Sequence, residues 1–344
     1  PLNGLTITAY NAGHTLGGTI WHIQHGLESI VYAVDWNQAR ENILAGAAWL
    51  GGAGAGGAEV IEQLRKPTAL ICSSRGAERV ALAGGRTKRD EMLMDLIKSS
   101  ILRGGTVLIP TDSSARVLEL AYLLEHEWRK EAADQNSVLY GAGLYLCTKN
   151  IGATMRYTRS MLEWMDDSII REFEAVAGVA EKIENSLKRR KKLEAEDKPI
   201  VPAGPFDFEW CRLVEKRSQV NAVLKERMLV DSKPVGRVIL ASDASLEWGF
   251  SRDVLRDIAK DDRNLIILTE RQGKMTNDMG YNGVARQLWE WYEERRDGVT
   301  VERGETNIAL DLVNVDNRTL QIHNVERVAL EGAELESYNQ WAVT

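Results

Sequence analysis

Three short segments near the start of the chain carry β-branched and apolar residues in the pattern of strands. They are Leu5–Tyr10, Thr19–Ile23 and Ser29–Val34, and Gln24–Glu28 is the turn between the last two. Runs rich in Ile, Val, Thr and Tyr between turn signals are typical of β-strands. The pattern therefore predicts a small sheet at the start of the chain.

From Pro67 onward, short apolar runs alternate with longer segments of helical period. The predicted helices are Thr87–Leu102, Ser113–Arg129, Thr154–Phe173 and Arg252–Lys260. The predicted strands are Thr68–Cys72, which we expect to be buried, Thr106–Pro110, a region within Ser137–Cys147, Arg237–Ala241 and Asn264–Thr269. Strands alternating with helices predict an α/β fold with a mainly parallel sheet.

A charge-dense segment, Glu181–Lys198, interrupts this alternation and is followed by three prolines. It contains five consecutive basic residues, which are Lys188, Arg189, Arg190, Lys191 and Lys192. One interpretation is a solvated helix and linker inserted into the α/β unit. The other is a nuclear-import signal or a patch that binds RNA phosphates. The sequence leaves both open.

Composition restricts the classes of partner. The 344 residues include 43 Lys and Arg against 50 Asp and Glu, a net charge of −7, so any contact with nucleic acid has to come from a local patch. Three widely spaced cysteines, Cys72, Cys147 and Cys211, argue against a disulfide framework and for a reducing compartment. No run of about 18 apolar residues is present, so the sequence predicts no membrane span.

Two residues with metal-binding side chains follow predicted strands. His14 lies in a Gly-rich turn after the first strand, and Asp35 ends the third. A hydrolytic zinc site needs three or four ligands delivered into a cleft, and the five histidines contain no His-x-His cluster. The pair is therefore half of a metallohydrolase site, unless His14 is an ordinary turn residue.

Other candidate binding or helix-capping residues lie where predicted strands lead into helices. Asp112 and Arg116 follow the strand Thr106–Pro110, at the edge of a parallel sheet where ligands bind. The alternative roles are a helix N-cap for Asp112 and a solvated first-turn position for Arg116. Ser251, before Arg252 and Asp253, is a candidate cap of the later helix.

Four tryptophans are interpreted as core or interface anchors rather than base-stacking platforms: Trp164, Trp248, Trp289 and Trp291.

Six segments, taken in order, carry a family resemblance. They are Ala12–Trp21, Val31–Asp35, Ile109–Leu120, Ser160–Met165, Leu246–Asp253 and Val328–Tyr338. Together they resemble the metallo-β-lactamase/β-CASP family, and within it the non-catalytic members that serve in pre-mRNA 3′-end cleavage and polyadenylation. The resemblance implies part of a metallo-β-lactamase αββα layer over residues 1–67. It implies a β-CASP α/β domain over 68–297, with the basic insertion at about 178–205, and a tail, 298–344, that leads back toward the lactamase domain.

The resemblance also has implications for the zinc ligands and the catalytic acid of the family. In nucleases of the family, a Gly-His turn and a later Asp supply zinc ligands, and His14 and Asp35 match those positions. The nucleases then carry an acid after a strand, where this chain has Cys72, and a thiol of ordinary pKa is a poor proton carrier compared with a tuned carboxylate. We therefore expect no catalytic residues and no zinc. His14 and Asp35 would be relic ligand positions, and Cys72 an inert buried thiol in a degenerate acidic motif.

For function, the resemblance implies a non-catalytic scaffold in the nucleus. It would pair with the catalytic endonuclease subunit, contact other cleavage and polyadenylation factors, and bind pre-mRNA through Lys188–Lys192, with no membrane partner. Two alternatives remain. One is an active zinc-dependent endoribonuclease, and the other is a stand-alone RNA-binding module, whose affinity would fall steeply with salt.

Overall fold

The computed structural model describes residues 3–47, 49, 61–73, 84–112, 116–189, 204–230, 232–259, 261–269, 283–296 and 321–324. The chain divides into two compact units. Unit 1 comprises Pro1–Arg79, Met155–Glu209 and Leu330–Thr344, and unit 2 comprises Val80–Thr154 and Trp210–Ala329.

Strands and helices are numbered in chain order. The strands are β1 (Leu5–Asn11), β2 (Thr19–His25), β3 (Glu28–Ala33), β4 (Ala69–Cys72), β5 (Thr106–Pro110), β6 (Gly143–Cys147), β7 (Cys211–Val214), β8 (Leu229–Val230), β9 (Lys233–Pro234), β10 (Arg237–Ala241), β11 (Leu265–Leu268) and β12 (Gln321–Asn324). The helices are α1 (Gly85–Leu102), α2 (Arg116–Glu131), α3 (Ile151–Arg159), α4 (Asp167–Arg189), α5 (Arg217–Lys225), α6 (Gly249–Ile258) and α7 (Val284–Arg296). Short 3-10 turns cover Glu62–Leu64 and Leu162–Trp164.

Unit 1 is built on a four-stranded sheet in the order β1-β2-β3-β4. The first two pairs are antiparallel, and β4 adds parallel to β3. Because side chains alternate across a strand, one face of this sheet carries Ile20, Val31 and Ala33, which pack into a core with Trp49 and Leu64.

The opposite face of this sheet is also apolar but exposed. Trp21 lies opposite Tyr32, and Tyr32 lies opposite Ile71, so these side chains form one row across three strands. All three are exposed, as are Ile7 and Ile30 on the same face. The predicted burial of the strand over Thr68–Cys72 is therefore wrong, since Ile71 and Cys72 are exposed and β4 is the outermost strand of this sheet among the described residues.

The sequence predicts one helix over Thr154–Phe173, and this is wrong, because α3 ends at Arg159 and α4 begins at Asp167. The carboxylate of Asp166 explains the new start. Its Oδ1 accepts hydrogen bonds from the backbone N–H of Ser168 at 2.9 Å and from the Ser168 hydroxyl at 2.6 Å. An acidic side chain that bonds an otherwise unpaired N–H of the first turn is the pattern of a helix N-cap.

Unit 2 confirms the predicted α/β fold with a mainly parallel sheet. Its six strands run in the order β12-β11-β5-β10-β6-β7, and every pair is parallel. The central strands are buried on both faces, as expected where helices cover both sides of a parallel sheet. Strand β12 was not predicted from the sequence.

Within the residues that the structure describes, no helix combines the length and the apolar character needed to cross a lipid bilayer.

Candidate functional site

The turn that carries His14 is fixed by the loop that follows β3. Gly13 has φ +63°, and a Cβ there would lie 2.5 Å from both the Ala47 nitrogen and the Asn37 carbonyl oxygen. The Asn37 N–H in turn donates to the Ala12 carbonyl at 2.8 Å. Only glycine fits such a close approach with a left-handed backbone, so the Gly-His pair reflects packing as well as any ligand role.

The three predicted site residues of unit 1 differ in exposure. His14 is half-buried, whereas Asp35 and Cys72 are exposed. The register pairs Cys72 with Ala33, two residues before Asp35, so the ends of β3 and β4 lie side by side. The expectation that Cys72 is an inert buried thiol is wrong, because β4 is the edge strand of its sheet.

A zinc ion does not fit the donor set that the structure describes. Among the described residues, no group of three or more His, Cys, Asp and Glu lies close enough to hold a metal ion. A tetrahedral zinc site takes three or four such ligands. We therefore derive no chemistry through zinc for this chain.

One ion pair stabilises the loop after β3. The Arg40 guanidinium donates to Asp166 Oδ1 at 2.5 Å, and the Asp166 N–H donates to the Ile43 carbonyl at 2.7 Å. Burial on its own would raise the pKa of Asp166, but the hydrogen bonds from Ser168 and the charge of Arg40 outweigh it and lower that pKa. The pair was not predicted from the sequence, although Asp followed by Asp-Ser ahead of an apolar run is a recognisable helix start.

In unit 2, the residues after β5, β10 and β11 enclose a cavity at the carboxyl edge of the sheet. Thr111, Asp112 and Arg116 line it from one side, and Ala244 and Thr269 line it from the other. Arg116 is 2% exposed, so its alternative role as a solvated first-turn residue is wrong. Residues 113–115 lie outside the described residues, and whether Asp112 caps α2 stays a prediction.

The loop between β10 and α6 is held by Asp243. Its Oδ1 accepts hydrogen bonds from the Ser245 backbone N–H and hydroxyl, and its carbonyl accepts from the Ser251 hydroxyl at 2.6 Å. Ser251 therefore lies inside α6 and does not cap it, which contradicts the predicted cap. Arg252 is half-buried, and Asp253 pairs with Arg217 at 2.6 Å.

The tryptophans divide between core and surface. Trp289 is buried in the core of unit 2, and Trp291 packs against that core, as predicted. Trp164 is half-buried, and its carbonyl accepts a hydrogen bond from Asn11. Trp248 is 64% exposed on the loop that holds Ala244, so it is not a core anchor, and its alternative role as an interface anchor stays a prediction.

The basic run lies at the limit of the described residues. Lys188 and Arg189 form the end of α4. Arg190, Lys191 and Lys192 lie outside the described residues, as do half of the predicted insertion, residues 190–203, and most of the tail 298–344. Their role in binding RNA stays a prediction.

Two known protein families match successive parts of the chain, in the order that the sequence resemblance implies. Residues 1–71 match the metallo-beta-lactamase superfamily domain, and residues 117–277 match the Beta-Casp domain. The two matches agree with the resemblance noted in the sequence.

Individual relatives cover most of this chain. Cleavage factor two protein 2 of Schizosaccharomyces pombe is 31% identical over 338 residues, which is 98% of this chain and 35% of that protein. A probable cleavage and polyadenylation specificity factor subunit 2 of Drosophila melanogaster is 29% identical over 339 residues, 97% of this chain and 34% of that protein. Endoribonuclease YSH1 of Gibberella zeae is 26% identical over 268 residues, 78% of this chain and 27% of that protein. The chain thus spans about a third of the length of the first two relatives.

Proposed function

Because this chain belongs to the metallo-β-lactamase/β-CASP family and aligns over nearly its whole length with subunit 2 proteins of 3′-end processing, we propose that it serves in mRNA 3′-end processing as a non-catalytic scaffold. In this role it acts in the nucleus, pairs with the catalytic endonuclease subunit and helps to bind pre-mRNA. Other cleavage and polyadenylation factors complete the assembly.

The observation that carries the non-catalytic proposal is the position of Cys72. It ends β4 beside the end of β3, where the resemblance places an acid in the family's nucleases. A tuned carboxylate there can act as a general acid or base, whereas a thiol is a poor substitute for it in moving a proton. The step that an acid serves in a nuclease therefore has no equivalent group at this position.

One observation favours a second candidate, an active zinc-dependent endoribonuclease. The chain is also 26% identical to an endoribonuclease, and it keeps His14 and Asp35 at positions that match zinc ligands in the resemblance. The two candidates differ in one measurable property, which is metal-dependent cleavage that requires His14.

The test compares the unmodified chain with His14→Ala and Cys72→Glu on a labelled RNA that contains a polyadenylation site, with and without added Zn²⁺. We expect intact RNA in every reaction, and much less than one zinc per chain by elemental analysis. Cleavage that needs zinc and disappears in His14→Ala would establish the endoribonuclease instead.

A cellular test also separates the scaffold from the endoribonuclease. A scaffold depends on the surfaces that bind its partners and not on His14 or Asp35 at the former zinc-ligand positions. Cells that carry His14→Ala in the full-length protein should process 3′ ends normally, and the tagged variant should recover the endonuclease subunit as well as the unmodified protein does. Failed processing with normal recovery of that subunit would contradict the scaffold proposal.

A further inference from the structure

Trp248 is an isolated exposed aromatic residue on the loop between β10 and α6 of unit 2. Its side chain is 64% exposed, whereas Leu246 and Phe250, two positions before and after it, are buried in the core of this unit. In the loop and in α6, which the structure describes throughout, no other large apolar side chain is exposed. The indole therefore stands alone in solvent on a stretch of chain that is anchored on both sides.

Backbone contacts also fix the chain around this ring. Gly249 has φ +77°, and a Cβ there would lie 2.5 Å from the Ser242 carbonyl oxygen, so only glycine fits at this position. The same carbonyl accepts the Ser251 N–H at 2.7 Å. Because the backbone on either side of Trp248 is already ordered, a ligand that binds the ring has little further ordering to impose.

Arg252 supplies a positive charge one helical turn after Trp248. It is half-buried in the first turn of α6, and its guanidinium has no hydrogen bond or ion pair with the residues that the structure describes. A spacing of four residues places the two side chains on the same side of the helix, about 6 Å apart along its axis. A stacking surface and a free cation are therefore neighbours.

The acidic side chains on either side of Arg252 in the chain have other contacts. Asp253 pairs with Arg217 at 2.6 Å. The Glu247 carboxylate packs against the backbone of Gly283, where it fills the space that a side chain at that position would need. The first turn of α6 holds no acidic residue. An anionic ligand can therefore pair with Arg252 without first displacing an acidic partner.

The surroundings of the ring favour a nucleic-acid base over a protein as its partner. Aromatic anchors of protein interfaces lie within a patch of neighbouring contacts that excludes water, and this loop and α6 expose no second apolar side chain to build one. A base needs only one open aromatic face on which to stack, and a nearby cation then binds the phosphate.

We propose that Trp248 and Arg252 bind one nucleotide of single-stranded RNA. The base stacks on the indole, and the guanidinium donates hydrogen bonds to the phosphate. This inference rests on the proposed role in binding pre-mRNA and adds to it a contact in unit 2, separate from Lys188–Lys192. Because every base has an aromatic face, the contact should show little sequence preference.

The test measures binding of a short labelled single-stranded RNA by fluorescence anisotropy at fixed ionic strength. Trp248→Ala should weaken binding about fivefold or more, because the stacking surface is lost. Trp248→Phe keeps an aromatic face and should retain most of the affinity. Arg252→Gln should weaken binding about three- to tenfold, because it removes a charge-assisted donor.

Two control variants remove the same kinds of group elsewhere. Tyr157→Ala removes another exposed aromatic ring, and Arg256→Gln removes an exposed positive charge one turn beyond Arg252. Both should bind the RNA within about twofold of the unmodified chain, as expected for exposed residues without a role in binding. With an abasic RNA of the same length, Trp248→Ala should cause no further loss.

The outcomes separate this inference from the proposed function. If Trp248→Ala binds RNA as tightly as Tyr157→Ala does, the inference fails, and reduced recovery of the endonuclease subunit by that variant would identify Trp248 as an anchor of a protein interface. Loss of RNA binding only when Lys188–Lys192 are neutralised overturns this inference and leaves the role in binding pre-mRNA intact. An unmodified chain that does not bind RNA overturns both. Comparison of Trp248→Ala with Trp248→Phe holds even if Arg252→Gln does not fold.

Discussion

The three thiols of the chain differ in how easily each can ionise. Burial raises the pKa of Cys147 to about 12, and burial together with the charge of Glu125 raises the pKa of Cys211 well above its usual range. Cys72 is exposed. Since the thiolate is the reactive form, one thiol of the native chain should react quickly with a reagent such as DTNB and two only after denaturation. Cys72→Ser should abolish the fast reaction, and fast labelling that survives this change would contradict the assigned burial.

Asp166 makes stability depend on pH. Its folded pKa is lowered from 3.8, so its contribution is fully present above that value and is lost as the pH falls through the folded pKa. Asp166→Asn should lower the free energy of unfolding by about 1–2 kcal/mol at neutral pH, because charge-assisted hydrogen bonds become neutral ones. The difference from the unmodified chain should shrink in denaturant titrations as the pH falls from 3.8 through the lower folded pKa, since Asp166 becomes protonated over that range.

The control for Asp166 is its neighbour. Asp167→Asn removes the same charge at an exposed position in the first turn of α4, where it should cost only about 0.3–1 kcal/mol. Equal losses in the two variants would show that helix-terminal charge, and not the buried contacts of Asp166, accounts for the effect.

The burial of individual side chains was the hardest feature to predict from the sequence. Residue type placed His14, Asp35 and Asp112 in loops that follow strands and Arg116 in the first turn of a helix, and the structure agrees. Burial did not follow from type, because Cys72 lies on an edge strand and Arg116 faces a cavity, and both facts depend on distant parts of the chain. Long-range neighbours of this kind leave no local signal in the sequence.

At the scale of elements, prediction succeeded where an apolar run was continuous. Strand β10 has the predicted bounds, since a strand covered on both faces reads as an unbroken apolar run. The helix predicted over Thr154–Phe173 failed because apolar spacing continues across Ser160–Asp166, while the local hydrogen bonds of Asp166 restart the helix. Strand β12 was missed because it is four residues long and holds a single apolar residue, Ile322, whereas the strands were predicted from apolar and β-branched runs.

Glu125 joins helix α2 to the start of β7. Its carboxylate is 2% exposed and accepts the backbone N–H groups of Trp210 and Cys211, the latter at 2.8 Å. Glu125→Gln should lower the free energy of unfolding by about 1.5–3 kcal/mol, because charge-assisted bonds to the buried N–H of Cys211 and the part-buried N–H of Trp210 weaken. Glu127→Gln on the same helix disrupts only a partly exposed pair with Lys130 and should cost below about 1 kcal/mol in the same thermal or denaturant titration. A loss no greater than that of the control would refute this role of Glu125.

At the scale of the whole molecule, a net charge of −7 requires any affinity for RNA to be local. Replacing all five residues of Lys188–Lys192 with Gln should weaken RNA binding and flatten its salt dependence, by about 0.7 in the logarithmic slope for each RNA phosphate that the variant no longer neutralises.

The matched control removes five scattered positive charges from exposed positions, so that the total charge changes equally. They are Lys149, Arg171, Lys225, Lys233 and Arg256. Filter binding across a salt series should show a steeper slope for this control than for the variant of the basic run. Equal slopes would mean that total charge, and not the basic run, controls affinity.

Unit 2 makes hydrogen bonds near both ends of the segment Met155–Glu209, which belongs to unit 1. These contacts have a consequence for how the protein can change in evolution. The chain leaves unit 2 after Thr154 and returns at Trp210. The Gly152 N–H donates to Glu215 near the exit, and Glu125 accepts the N–H groups at the return. With both ends fixed, doubling the length of the intervening chain costs only about 0.6 kcal/mol of closure entropy. A change of length between Thr154 and Trp210 therefore has little effect on the stability of unit 2, provided that Glu125 and Glu215 are kept.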